Sequence, residues 1–126
     1  MLKNEGGRFV DVSKKSGISG RDRGNSATWW DYNNDGLPDL YVGNDFKDAD
    51  RLYQNNGDGT FEDIATPAGV DLQNKGSGPS FADINGDGVT DVITANGAGD
   101  SITIQQNGST PGAVSWVQST NVLVTS

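Results

Sequence analysis

Two segments of the chain, Gly24 to Asn44 (GNSATWWDYNNDGLPDLYVGN) and Gly76 to Asn96 (GSGPSFADINGDGVTDVITAN), superimpose without a gap at an offset of 52 residues. The same offset places Phe9, Asp11 and Gly17 over Phe61, Asp63 and Gly69. A repeat of this kind sets the architecture, because each unit is one supersecondary element that buries its apolar face only against a neighbour. Within a unit, short apolar runs alternate with Gly/Asn/Asp clusters, which predicts short antiparallel strands joined by tight turns.

Four strands are expected in the complete unit, over 27–31, 39–43, 51–54 and 60–64, with Asn55 to Gly59 as a hairpin loop. The next unit repeats the first two strands, adds a third over 101–106, with Ile102 and Ile104 on one face and Thr103 and Gln105 on the other, and a fourth over 113–118. No segment sustains a 3.6-residue apolar period, so no long helix is expected. Four strands in 52 residues match a β-propeller blade and exceed a β-helix coil. The fold class is therefore all-β, with 126/52, or about 2.4, four-stranded antiparallel blades. The expected division is 1–23 as the end of a preceding blade and linker, 24–75 as a complete blade, and 76–126 as a second blade with a variant C-terminal hairpin. Closed propellers take roughly 4–8 blades, so this length does not close a ring alone and implies further blades or self-association.

Composition excludes much else. The chain has no Cys and no His, which removes disulfide frameworks, Cys nucleophiles, zinc sites built on those residues and every His-based triad. A net charge of −8 would repel phosphate backbones, so nucleic acid is not an expected partner. No run approaches about 18 apolar residues, so no membrane span is expected. Leu2 to Gly7 is polar, and no signal peptide is read in this chain.

The acids are 15 Asp against 2 Glu, and they concentrate in one repeated loop. Asp31-Tyr-Asn33-Asn-Asp35-Gly36-Leu37-Pro-Asp39 and Asp83-Ile-Asn85-Gly-Asp87-Gly88-Val89-Thr-Asp91 both read D-x-N-x-D-G-x-x-D. Side-chain oxygens at positions 1, 3, 5 and 9, with a backbone carbonyl at position 7, suit the roughly 6–8 oxygen ligands that Ca²⁺ prefers. Two bound Ca²⁺ would change the formal charge from −8 to −4 and relieve carboxylate repulsion. An EF-hand opens with the same pattern but needs a bidentate Glu at position 12, where these loops carry Val42 and Thr94 between strand-like flanks. The bland alternative is a pair of Asp/Asn-rich hairpins without metal; recurrence in one register argues for cation sites.

The residues ATWWDYNNDGLPDLYVGND, RLYQNNGDGTFEDIATPAGV and SFADINGDGVTDVITAN resemble the FG-GAP/VCBS repeats of integrin-α-type β-propellers, and the first part is similar to the ASPIC/cartilage-acidic-protein branch. The resemblance implies blades whose first strand-to-strand loop binds Ca²⁺, here two ions. The first would be held by Asp31, Asn33, Asp35, the Leu37 carbonyl and Asp39, and the second by Asp83, Asn85, Asp87, the Val89 carbonyl and Asp91. It also implies structural metal, a non-catalytic role in adhesion or in binding protein or carbohydrate ligands, and an extracellular or cell-surface location. QNGSTPGAVSWVQ departs from NNGDGTFEDI and looks like another subtype. A polysaccharide-active enzyme and a self-assembling structural piece are the alternatives.

Three further features are weighed. Trp29 aligns with Phe81 and is expected to pack, whereas Trp30 aligns with the small Ala82 and is read as packing between blades, with a sugar platform as the alternative. Trp116 is read as strand packing. Asn44 to Asp50 is read as a solvated acidic loop, with a third, weaker cation site as the alternative, and Arg21-Asp22-Arg23 as surface charge.

Overall fold

The computed structural model describes residues 1–18, 20–45, 48–71, 79–96, 101–108 and 116–123. Ten strands and two single-turn helices fall in these residues: β1 (Leu2–Glu5), β2 (Arg8–Asp11), α1 (Ser13–Ser16), β3 (Gly24–Trp30), β4 (Asp39–Asn44), β5 (Arg51–Asn55), β6 (Phe61–Asp63), α2 (Ala65–Ala68), β7 (Ser80–Ala82), β8 (Asp91–Asn96), β9 (Ser101–Asn107) and β10 (Trp116–Leu123). They form a β1-β2 hairpin and two four-stranded sheets, β3-β4-β5-β6 and β7-β8-β9-β10. Every pairing is antiparallel between strands adjacent in sequence, so both sheets are meanders, the blade topology that the repeat predicts. Among the described residues no helix is long and apolar enough to cross a membrane.

The repeat is equally visible at the N-terminus. Phe9 in β2 and Phe61 in β6 are 52 residues apart, as are Ser13 and Ala65 at the starts of α1 and α2. The β1-β2-α1 segment thus corresponds to β5-β6-α2, the closing half of a unit. Each helix stops at a glycine in the left-handed region, Gly17 with φ 79° and Gly69 with φ 68°. The fourth strand of the second sheet runs over Trp116–Leu123 rather than 113–118, with a register shift near Trp116. Residues 113–115 and the Trp116 side chain lie outside the described part.

Strand alternation decides what the core contains. Thr28, Tyr41 and Leu52 are register partners on one face of the first sheet, which Trp30 shares; Trp29, Leu40 and Tyr53 lie on the other. In the second sheet Phe81, Val92 and Gln105 share a face. The core joins these sheets: Tyr32, Tyr41, Leu52, Ile64, Ala65, Ala68, Val70 and Val92 are buried in one cluster, and Trp30 and Phe81 pack against it. Tyr41 meets Phe81 edge-on at 5.7 Å between centroids. Trp30 is thereby the inter-blade packing residue that its lack of an aromatic counterpart suggested.

Two expectations need correction. Trp29 is 51% exposed and makes only an edge contact with Phe61 at 5.8 Å, although its counterpart Phe81 is half-buried. Phe81 leans on Trp30 and Tyr41 of the preceding four-stranded sheet, whereas the ring that Trp29 meets, Phe61, belongs to its own sheet. Asn44 to Asp50 is not simply a solvated loop either. Asp50 is 4% exposed, accepting the Tyr41 hydroxyl (2.9 Å) and the Asn44 N–H (2.8 Å). Phe46 and Lys47 of that loop lie outside the described residues.

Candidate functional site

The two D-x-N-x-D-G-x-x-D loops connect β3 to β4 and β7 to β8, the same corner of each sheet. Their backbones require residues that tolerate positive φ at two steps. Position 4 is Asn34 (φ 55°) in one and Gly86 (φ 76°) in the other; position 6 is Gly36 (φ 85°) and Gly88 (φ 87°). An L-residue other than Asn or Asp pays about 1–2 kcal/mol there, which explains the residue types.

The side chains wrap the turn in the same way twice. Asp31 Oδ1 accepts from the Asp35 N–H (3.0 Å) and Oδ2 from the Gly36 N–H (2.8 Å). Asp83 Oδ1 accepts from the Gly86 and Asp87 N–H groups (2.7 and 3.1 Å) and Oδ2 from Gly88 (2.9 Å). Asn33 Oδ1 accepts from the Asp35 N–H (3.1 Å) while its Nδ2 donates to Asp35 Oδ2 (2.9 Å), and Asn85 treats Asp87 identically at 3.1 and 2.8 Å. Asp35 Oδ1 accepts the Leu37 N–H and Asp87 Oδ1 the Val89 N–H, at 2.8 and 2.9 Å. Such turn-binding is the ordinary chemistry of Asp and Asn.

Asp39 and Asp91 are placed differently, at the first residues of β4 and β8 with no exposed surface. Asp39 accepts the Tyr32 N–H (3.2 Å) and the Asn55 N–H (2.8 Å); Asp91 accepts those of Ile84 (2.9 Å) and Asn107 (2.7 Å). Burial pushes the Asp39 carboxyl up to about 6 against the pull of these N–H donors, and the charges of Asp35 and Asp31 add to the rise. A buried carboxylate facing two others is a site where positive charge would be favourable. Asn55 and Asn107 were not singled out as site residues, although Gln54-Asn55 and Gln106-Asn107 lie 52 residues apart. That register was the available signal.

The donor set of each loop is oxygen throughout, hard-cation chemistry that fits Ca²⁺. The loop holds Asp31, Asn33 and Asp35 in direct mutual or backbone-bridged contact, and Asp39 within electrostatic reach. The side-chain oxygens at positions 1, 3 and 5 are engaged by donors of the loop itself, and among the described residues no three acidic side chains converge tightly enough to form a metal centre. Three acids outside the loops are already engaged. Asp50 is buried beneath β4, and Asp22 and Asp63 are bridged by Arg51, at 2.9 and 2.8 Å. A cleft of about 440 Å³ beside Arg51, Asp22, Tyr53 and Val42 thus presents an acid that is already paired.

Comparison with known proteins agrees with this geometry. The FG-GAP-like repeat family matches residues 31–94 and the FG-GAP repeat matches residues 75–115. The chain is similar to cartilage acidic protein 1 of Xenopus tropicalis, 50% identical over 46 residues, which is 36% of this chain and 7% of the relative. It is similar to cartilage acidic protein 1 of Homo sapiens, 33% identical over 87 residues, 68% of this chain and 13% of the relative. The Mus musculus protein of the same name is 32% identical over the same shares. The chain therefore spans only about a tenth of the length of these curated relatives.

Proposed function

The chain belongs to the FG-GAP-like repeat family, and from that premise we propose that it is a calcium-stabilised segment of a β-propeller that serves outside the cell as a binding or adhesion scaffold. The observation that carries this reading is the recurrence of one hydrogen-bonded carboxylate loop at the same corner of two successive sheets, each ending on a fully buried Asp. Asp31, Asn33, Asp35, the Leu37 carbonyl and Asp39 would hold one Ca²⁺, and Asp83, Asn85, Asp87, the Val89 carbonyl and Asp91 the other. A bound cation supplies positive charge to oxygens that otherwise share N–H donors. It exchanges turn-internal hydrogen bonds for cation contacts and relieves repulsion around Asp39. Extracellular modules work with Kd on the order of 10⁻⁴–10⁻³ M, so loops of modest affinity suffice there.

The two outer sheet faces support a role in assembly. Trp29 is half-exposed on one end, and Ile93, Ile102 and Ile104 share a face on the other, directed away from Phe81 and Val92. Further blades of the same repeat would cover them; protein or carbohydrate ligands would then meet the rims. Among the described residues, Asp50 is buried against Tyr41 and Asp22 and Asp63 are paired with Arg51, so these acids lend a catalytic role no support.

Thermal melting in EDTA, then in rising Ca²⁺ with Mg²⁺ as control, tests the proposal. At roughly ten-fold excess over Kd each site should add about 1.4 kcal/mol, and the joint Asp31→Ala and Asp83→Ala variant should lose the response. An unchanged midpoint in Ca²⁺, with a cooperative melt in EDTA, would refute it.

A further inference from the structure

Asn107 belongs to neither carboxylate loop, yet it joins them. Its peptide N–H donates to Asp91 Oδ1 of the second loop at 2.7 Å. Its side-chain Nδ2 donates to the Tyr32 carbonyl of the first loop at 2.6 Å, and to the Thr90 carbonyl at 3.2 Å. Tyr32 in turn donates its N–H to Asp39 Oδ2 at 3.2 Å. An unbroken run of hydrogen bonds therefore leads from the buried carboxylate that closes one loop to the buried carboxylate that closes the other. All four residues have no exposed surface, so solvent does not compete for these bonds and low polarity strengthens them. Asn55, one repeat earlier, makes the equivalent bonds to Asp39 and to the Pro38 carbonyl. The reach of Asn107 to Tyr32 is what crosses from sheet to sheet.

We infer that Asn107 makes the two loops one cooperative cation-binding unit, in which a divalent cation held by either loop raises the affinity of the other; this rests on the calcium reading above. A cation held by the second loop would fix the Asp91 carboxylate and with it the Asn107 peptide. The Asn107 amide would then hold Tyr32, and Tyr32 would hold Asp39 in its binding position. Part of the ordering that the first loop needs is already complete when the second ion arrives, which is coupling through lost freedom rather than displacement. The coupling is reciprocal, since each ion must favour the other equally. Couplings of this kind span about 5- to 150-fold, and a run of three hydrogen bonds belongs near the lower end.

Calorimetric titration of Ca²⁺ into the cation-stripped chain, at constant ionic strength, reads both stoichiometry and coupling. The parent chain should take two ions, the second about 5-fold or more tighter than the first after statistical correction. Asn107→Ala should still take two ions, now independently. Asn107→Asp keeps the size and the peptide donor but replaces the amide donor facing Tyr32, and should uncouple the loops likewise. Asp83→Ala leaves Asn107 in place, so it answers even where position 107 tolerates no change; it should take one ion, about 5-fold more weakly than the second step of the parent. Two independent ions in the parent, or undiminished coupling in both position-107 variants, would overturn the inference and leave the calcium reading standing. No Ca²⁺ uptake by the parent would overturn both.

Discussion

The indole of Trp30 and the ring of Phe81 come from different sheets and lie 4.6 Å apart between centroids, inclined by 47°. This pair marks the seam on which the two blades meet. Trp30→Ala should cost about 3 kcal/mol, measured by urea denaturation, because a large side chain is removed from a packed junction. A double-mutant cycle with Phe81→Ala should return a coupling of about 0.5–1.5 kcal/mol. Trp29→Ala, one residue earlier on the opposite face, should cost about 1 kcal/mol or less. Equal costs at 29 and 30 would contradict the assigned seam.

The loop glycines give a second prediction, free of packing. A Cβ at Gly36 or Gly88 would meet nothing within 4 Å, so Gly→Ala there tests the positive φ alone. Each change should destabilise by about 1–2 kcal/mol in a melting experiment. Asn34→Gly, which gives the first loop the residue that the second carries at Gly86, should shift stability by only about 0.5 kcal/mol. A costless Gly36→Ala would mean that the turn rearranges readily.

The repeat was legible because an offset of 52 survives without gaps, and it placed β3, β4, β5, β6 and β9 to within three residues. Helices α1 and α2 were not foreseen, since four residues carry no period to read. Alternation separated Ile102 and Ile104 from Thr103 and Gln105 but could not say which face is buried. The polar face is: Thr103 and Gln105 are buried, and the Gln105 amide donates to the carbonyl of Gly69, which ends α2. The turn-binding Asp and Asn residues at positions 1, 3 and 5 of each loop were legible from their type and spacing. Asn107 was not, because its bond to Tyr32 spans 75 residues and follows from how the sheets pack.

Asp50 supplies a pH dependence. Burial raises its carboxyl, outweighing the Asn44 N–H and the Tyr41 hydroxyl, which pull it down. A group whose folded value lies above its unfolded value of about 3.9 stabilises fully below that value. The contribution is lost as pH rises through the folded value. In EDTA the chain should therefore lose stability between about pH 4 and neutrality, with Asp39 contributing in the same direction. Asp50→Asn retains an acceptor for Asn44 and should flatten part of that slope in melting curves. A steeper slope in the variant would reverse the sign assigned here.

Arg51 offers an electrostatic test. Its guanidinium joins Asp22, ahead of β3, to Asp63 in β6, and its side chain is 38% exposed. Arg51→Met should cost about 1 kcal/mol at low salt, the worth of two partly solvated pairs. Chemical denaturation by urea in 1 M NaCl, where the screening length is about 3 Å, should show most of that difference gone. A salt-independent loss would point to the arginine stem instead.

The meander gives the chain an order of events as it is made. Each described sheet pairs only strands that follow one another, so β3 to β6 can assemble before β7 to β10 have been synthesised. The Tyr32 carbonyl, however, meets its Asn107 donor only after a further 75 residues have emerged. The bond that ties the first loop to the second sheet can therefore form only once β9 has been made.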